Sequence, residues 1–435
     1  MPERPVYVGL LGLGTIGTGV VRLLQAHGPR IDERLGFPLR LKRIADIELE
    51  RDRGVPLDSY ALTQDWHEVV DDPEVELVIE LIGGDGVARS AVLAALKAGK
   101  SVVTANKALL AHHGPEIYAC AETYGSDIAF EASVGGTIPV LRALREGLCA
   151  DRIDALHGIV NGTCNFILSE MEERGETYAA CLKRAQDLGF AEADPSFDVN
   201  GMDSTHKLCI LLGLAFGLHV LPEAIPTDGI ECVTPLDIEY AERVGFRIKL
   251  MAIAKERDGG VEAWVSPTMI PRDSVLGRVG GAMNAIEVRG SMSGPTLYYG
   301  AGAGSLPTAS AIVADLMELA RAGRCGVKRR VPPLGTPVLR EIPLRRKEDL
   351  EGEYYLRFSA LDRPGVLSHI AGALGEHGIS IASLLQLERH ASEAVPVVMM
   401  THPAKDAALR AALAEISHMG DVLAPTQVIP VEREI

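Results

Sequence analysis

The sequence predicts an α/β protein: a doubly wound parallel sheet, then an α+β region, then a small C-terminal sandwich. Three observations carry this. Short apolar runs alternate with helix-periodic stretches up to about residue 135, the pattern of linked βαβ units. The first run, Val6–Leu11, meets a glycine turn that opens a helix. The last stretch, 351–435, gives strand and helix signals in the order βαββαβ, as in a ferredoxin-like sandwich.

Taken in order, Val20, Val21, Leu23 and Leu24 repeat at helical spacing within Thr18–Ala26. Leu39–Ile47 reads as a second strand. Leu77–Ile82 is apolar but for one Glu, as in a parallel strand buried on both faces. A helix over Ala88–Ala98 ends at Gly99, and Ser101–Thr104 is the next strand. Pro115–Tyr124 is a helix closed by Gly125, and Asp127–Glu131 a further strand. Beyond it, Ile138–Glu146 and Thr177–Asp187 read as helices, Val261–Pro267 and Ala285–Gly290 as strands, and Ala309–Ala322 as a long helix. Val331–Lys347 is rich in Pro and basic residues, a linker composition. The tail reads strand Tyr354–Ala360, helix Gly365–His377, strands Ile379–Leu387 and Ala394–Thr401, helix Ala404–Ile416 and strand Val422–Val431. Four parts are expected: 1–135, 136–308, 309–350 as a returning helix and linker, and 351–435 as a self-contained unit.

Composition narrows the function. The 435 residues are 47% hydrophobic, enough for large cores rather than disorder. A net charge of −16 repels phosphate backbones and anionic membrane surfaces. The densest basic groups, Lys328–Arg330 and Arg345–Lys347, have no interleaved aromatics, so no nucleic-acid partner is expected. The longest apolar stretch, Leu208–Leu218, is too short to span a bilayer, so no membrane is expected either. The seven Cys are scattered without metal or redox spacing, as in a reducing cytosol. Met1–Pro5 leads straight into a strand rather than a secretory signal. A soluble, cytoplasmic protein is expected.

The chemistry lies in a few motifs. Gly12-Leu13-Gly14-Thr15-Ile16-Gly17 fits G-x-G-x-x-G after a strand and before a helix, where free N–H groups suit a pyrophosphate. Asp46 ends the second strand and suits the ribose hydroxyls of NAD. It lies 29 residues beyond Gly17, an excess that an inserted loop at His27–Phe37 would explain. Arg43, Arg51 and Arg53 would instead suit a 2′-phosphate, so NAD and NADP both stay open. Thr104-Ala105-Asn106-Lys107 follows a strand, at the sheet edge where ligands bind. Lys107 there reaches a nicotinamide or a substrate oxygen, or is a surface lysine. Glu131, with the carbonyls of the small-residue run to Pro139, is an oxygen-only set suited to a hard cation; spacing alone favours a helix cap.

The densest polar cluster holds Glu192, Asp194, Asp198, Asp203 and Lys207. A helix expected from near Asp203 to Leu218 places Asp203 and Lys207 one turn apart on one face. They are a helix-start salt bridge, or a proton-transferring lysine steered by carboxylates, with Glu192 and Asp203 on an ammonium group. Cys164, in Asn161-Gly162-Thr163-Cys164, raises the rival of a thiolate nucleophile in an acylating semialdehyde dehydrogenase. His157 and His206 are offered as bases for such a reading, with no paired signal.

These runs resemble bacterial homoserine dehydrogenase, in order, from residue 8 to about 320: GLGTIGTGVV, VIELIGG, GKSVVTANKALLAHHG, FEASVGGTIPV, GIVNGTCNFIL, LGFAEADPSFDVNGMDSTHKL and YYGAGAGSLPTASAIVADL. The tail, FSALDRPGVLSHIAGALGEHGISIASLLQ, resembles an ACT domain. The resemblance implies a Rossmann domain and interconversion of aspartate-4-semialdehyde and homoserine with NAD(P)H, on the route to threonine, methionine and isoleucine. It implies Lys207 as proton donor, Lys107 near the reacting oxygen, and substrate contacts from Glu192, Asp203, Asn161 and Thr163. It implies cofactor contacts from the glycine loop (Gly12, Leu13, Gly14, Thr15, Ile16, Gly17), Asp46, Thr104, Lys107, Gly189 and Gly302. It further implies a structural monovalent cation, sodium, on Glu131 and the carbonyls of Val134, Gly136 and Ile138. A homodimer or homotetramer is expected, with threonine as the effector of the ACT unit.

Overall fold

A computed structural model describes residues 4–257, 259–327, 330–336, 338–386 and 394–435. Two compact units emerge. One comprises Met1–Ile153, His206–Ala224 and Arg289–Glu341; the other comprises Asp154–Thr205, Ile225–Val288 and Ile342–Ile435.

The first unit is built on a six-stranded sheet. Its order is Ala61–Thr63, Leu39–Ala45, Val6–Leu11, Val75–Glu80, Ser101–Thr104, Ile128–Ala129, with all strands parallel. The order reverses beside Val6–Leu11, which puts the glycine turn at the switch point where open α/β sheets bind ligands. Val8, Leu10, Val20 and Val21 share a core with Ala309, Ile312 and Leu316 of the helix Ser305–Arg324. A distant segment of sequence thus closes one face of the dinucleotide-type sheet.

The expected loop at His27–Phe37 is not a loop. The helix Thr15–Leu35 runs through Pro29 and stops only at Gly36, whose φ of 82° ends it. His27-Gly28-Pro29 reads as a breaker, but Ile31 and Phe37 are buried in the core beyond it, and that burial outweighs local propensity. The long spacing to Asp46 is therefore helix. The helix expected over Ile138–Glu146 is shorter: Val140–Arg142 is α-helical and Ala143–Gly147 is a wider π-helical turn.

The second unit has a mixed sheet. Met283–Gly290, Ile153–Ile159, Phe246–Arg257 and Gly260–Pro271 adjoin in that order, followed by Val422–Val431, Glu351–Leu361, Ala394–Thr401 and Ile381–Leu385. The join is parallel, at Val431 and Met269. The C-terminal part has the expected βαββαβ order, with helices Val366–Glu376 and Asp406–Ser417. The end expected for its second strand, Leu387, lies outside the described residues. A buried ion pair ties this part to the helix Pro235–Arg243. Arg357 donates from Nε and Nη2 to the two oxygens of Asp237 (2.6 and 3.1 Å), and Tyr355 Oη donates to one of them (3.0 Å). Pairing and hydrogen bonding of this kind offset the desolvation of a fully buried carboxylate.

Lys249 is a second buried charge. It donates to Asn165 Oδ1 (3.1 Å) and Val279 O (2.8 Å), and burial pushes its ammonium down to about 8. The unfolded chain therefore binds more protons than the folded one from about pH 8 to 10.5, so this group makes stability rise with pH across that window. We expect the stability of the wild type minus that of Lys249→Met to increase between pH 8 and 10.5 in denaturant titrations. A flat or falling difference would contradict the assignment.

Candidate functional site

In the first unit the carboxyl ends of three strands converge. A Cβ on Gly12, whose φ is +94°, would fall 2.4 Å from Leu81 O, and one on Gly17 would fall 2.2 Å from Gly12 O. Both positions thus demand glycine to close the turn. Gly14 has open space around it, the cradle a pyrophosphate needs at a helix start. Thr15 and Ile16 begin that helix, and Thr15 O accepts from Ser305 Oγ (2.7 Å).

Asp46 closes the loop from the next strand. Its Oδ2 accepts from Leu13 N (2.5 Å), and its Oδ1 accepts from Glu48 N (2.8 Å) and Arg53 Nη2 (3.0 Å). The Leu13 amide is therefore given to Asp46. Of the three arginines in question, Arg53 is buried on Asp46, while Arg43 bonds Glu68 and Arg51 bonds Glu48. A fixed carboxylate here repels a 2′-phosphate, and its removal leaves Arg53 to attract one. Asp46→Ser is expected to raise the ratio of kcat/KM for NADP over NAD at least ~10-fold, since like charges in contact cost several kcal/mol. An unchanged ratio in steady-state kinetics would remove Asp46 from cofactor choice.

Sequence reading passed over Glu80, whose only outward sign was the Glu in an apolar run. It is fully buried at the end of its strand, and burial pushes its carboxyl up. It accepts from Thr104 Oγ1 (2.6 Å), Ile82 N (2.8 Å) and Gly83 N (3.3 Å). Thr104 Oγ1 in turn accepts from Asn106 N (3.0 Å), and Asn106 caps the helix Lys107–Tyr124 by accepting from Leu109 N (3.0 Å). The Thr104 hydroxyl is thus committed to holding the helix that starts with Lys107.

Glu131 accepts from Leu141 N (2.9 Å) and Arg142 N (2.8 Å), the helix-cap arrangement that spacing alone favours. Burial, reinforced by the neighbouring Asp315, pushes its carboxyl up to about 7. Ile138 O accepts from Val140 N (2.8 Å). A Cβ on Gly136 would lie 2.8 Å from Gly302 O, so those two chain segments touch through backbone. The oxygen-only donor set fits a hard cation in kind, with Arg142 and two amides already offsetting the carboxylates. Among the described residues, no His, Cys, Asp and Glu group of three or more is arranged to hold a metal.

The second unit brings Asn161, Thr163, Asp198 and Asp203 together. Asn161 caps the helix Gly162–Arg174 by accepting from Cys164 N (2.8 Å). Its amide donates to Asp198 Oδ1 and to Asp203 Oδ2, both at 2.8 Å. Thr163 Oγ1 donates to Phe190 O (2.7 Å) and lies 3.3 Å from Asp198 Oδ2. One amide thus bridges two carboxylates, the charge an ammonium ligand requires. Asp198 is the member whose role the sequence left undefined; its place in an acidic run was the only sign. Glu192 is exposed, two residues beyond Phe190, and Gly189 turns the chain there with φ +77°.

Asp203 stands in the first turn of the helix Met202–Phe216, and Lys207 follows one turn later, 9% exposed. That burial rules out a freely solvated lysine. Cys164 is fully buried, with Sγ 3.3 Å from Asp198 O, which is the setting of a structural thiol rather than a nucleophile. Arg330 bonds Glu146; Lys328 and Arg329 of the same basic group lie outside the described residues. No helix among the described residues is long and apolar enough to cross a membrane.

Comparison with known proteins agrees with this geometry. Residues 12–131 match the homoserine dehydrogenase NAD-binding domain, 139–317 match homoserine dehydrogenase, and 354–418 match the ACT domain. The chain is 43% identical to a homoserine dehydrogenase of Neisseria gonorrhoeae and 44% identical to one of Pseudomonas aeruginosa, over 99% of each chain. It superimposes on a homoserine dehydrogenase crystal structure from Thiobacillus denitrificans with a TM-score of 0.94 and 44% identity, covering 99% of both chains. A switch-point glycine cradle, an amide-bridged carboxylate pair and a buried lysine thus stand in a chain that belongs to the homoserine dehydrogenase family, an oxidoreductase with an NAD-binding Rossmann domain and a C-terminal ACT domain.

Proposed function

We propose that this enzyme catalyses the reversible NAD(P)H-dependent reduction of L-aspartate-4-semialdehyde to L-homoserine, serving threonine, methionine and isoleucine synthesis in the cytoplasm. The observation that carries the reading is the Asp198–Asn161–Asp203 arrangement, with the buried Lys207 one helical turn beyond Asp203. Asp203 and Glu192 hold the substrate ammonium, and Asn161 and Thr163 line its pocket. Lys207 gives a proton to the aldehyde oxygen as negative charge develops there, and Lys107 stabilises the same charge. The nicotinamide, when bound, supplies the hydride. The glycine loop, Asp46, Thr104, Gly189 and Gly302 hold the dinucleotide. A monovalent cation, sodium on the family resemblance, rests on Glu131 and the carbonyls of Val134, Gly136 and Ile138 as a structural ion. Function divides among 1–135, 136–308, 309–350 and 351–435 as the sequence suggests. The test is oxidation of L-homoserine by NAD or NADP, read as nicotinamide absorbance; no reduction of either cofactor would sink the assignment.

The ACT domain supports feedback control. The turn Asp362–Gly365 opens the helix Val366–Glu376, whose free N–H groups suit a carboxylate, and the carbonyls of Gly378 and Ile379 beyond it suit an ammonium, Ser380 O being held by His402 N. The reading is threonine inhibition in a homodimer or homotetramer. Millimolar threonine is expected to slow homoserine oxidation by the full-length enzyme. No inhibition together with no calorimetric threonine binding would leave the domain only an assembly role.

A further inference from the structure

The second unit contains a cavity of about 810 Å³ that the catalytic reading does not use. It lies where the strand Gly260–Pro271 meets the ACT strands Glu351–Leu361 and Val422–Val431. Neither the Asn161–Asp203 cluster nor the 362–365 and 378–380 turns line it. Its volume is in the range of small-molecule sites.

Tyr354 shows what the cavity lacks. The residue is 7% exposed and lines the cavity, and its hydroxyl makes no hydrogen bond among the described residues; its backbone N–H donates to Thr401 Oγ1. The hydroxyl is not one of the sealed-off buried polar atoms, so it opens into the cavity, where a ligand oxygen can accept from it. Burial pushes the phenol up, so it stays a donor across the working pH range. Lys255, also lining, is paired with Glu432 and lies over the Trp264 ring at 5.9 Å, leaving ammonium protons to give. Glu262 faces it from the neighbouring strand. One of its oxygens accepts from Arg345 Nη1 (2.6 Å), while the other has only Arg257 Nε at 3.9 Å, beyond hydrogen-bond reach. Acidic and basic side chains are nearly balanced around the wall, so a polyanion gains little there. Trp264 and Leu413 supply apolar surface.

We propose that this cavity is a second small-molecule site that takes a free α-amino acid, its ammonium on Glu262, its carboxylate on the Tyr354 hydroxyl and Lys255, and its side chain against Trp264 and Leu413. The site is independent of the catalytic reading, because its occupancy is read as binding rather than turnover.

The test is calorimetry on the full-length enzyme with each of the twenty L-amino acids in turn, and with the N-acetyl form of any that binds. At least one amino acid is expected to bind, and its N-acetyl form is not. Tyr354→Phe, which removes no bond the fold uses, is expected to weaken that affinity about fivefold, the scale of one hydrogen bond. Glu262→Gln is expected to weaken it further, with kcat and KM for homoserine unchanged in both. Binding of none of the twenty would overturn the proposal. So would the finding that every amino acid that binds does so as tightly to both variants as to wild type, which would place all of the binding outside the cavity. Failure to oxidise homoserine, by contrast, would strike only the catalytic assignment.

Discussion

Replacing Lys207 with alanine is expected to lower turnover at least ~10²-fold, the usual scale for a lost acid–base group. Cofactor affinity and melting temperature are expected to hold. The lysine is 9% exposed on the helix Met202–Phe216, one turn past Asp203, and alanine is the better helix former. Hydride addition leaves charge on the aldehyde oxygen, which must be met by a proton in the same step or soon after. A structural lysine would show the opposite split, with stability lost and turnover largely kept. Lys207→Arg separates charge from proton transfer, because a guanidinium keeps its proton. It is expected to keep cofactor and substrate binding but not turnover. An alanine variant with more than half of normal turnover would remove Lys207 from the chemistry.

Gly14→Ala carries the second large effect. Gly14 has a φ of −69°, which alanine adopts without strain, and no atom lies within 4 Å of the added Cβ. In the free protein the change is therefore neutral or slightly stabilising, through a less flexible unfolded chain. With a dinucleotide present, the methyl occupies the space its pyrophosphate needs. Dissociation constants for NAD and NADP, measured by fluorescence titration, are expected to rise at least ~10-fold, as for a misfitted close contact. The melting temperature stays put. Gly17→Ala is the contrast: its Cβ would strike Gly12 O at 2.2 Å, so binding and stability fall together. Unaltered affinity in Gly14→Ala would reduce the loop to an ordinary turn.

The outline of the fold was legible because local signals agreed with tertiary ones. Val6–Leu11, Ser101–Thr104, Ala394–Thr401 and Val422–Val431 run as the apolar patterns indicate. Signals failed where burial overruled them. Pro29 sits inside a helix because Ile31 and Phe37 beyond it enter the core. The strand Phe246–Arg257 escaped notice because Leu250–Ala254 is a continuous apolar run that suits helix or strand alike, and Lys249 and Lys255 are buried on partners distant in sequence. The same limit applied to the site. Motifs exposed Asn161, Asp203 and Lys207, since spacing places them on helix starts. Glu80 and Asp198 act through bonds to Thr104, Asn161 and Thr163, which no spacing rule encodes.

The reaction itself is tested most directly with L-aspartate-4-semialdehyde, NAD(P)H and NAD(P)+ in separate arms, with and without inorganic phosphate. The account predicts oxidation of NAD(P)H with stoichiometric formation of L-homoserine, indifferent to phosphate and abolished in Lys207→Ala. Reduction of NAD(P)+ by the aldehyde, dependent on phosphate and lost in Cys164→Ala, would contradict it and establish acylating chemistry instead.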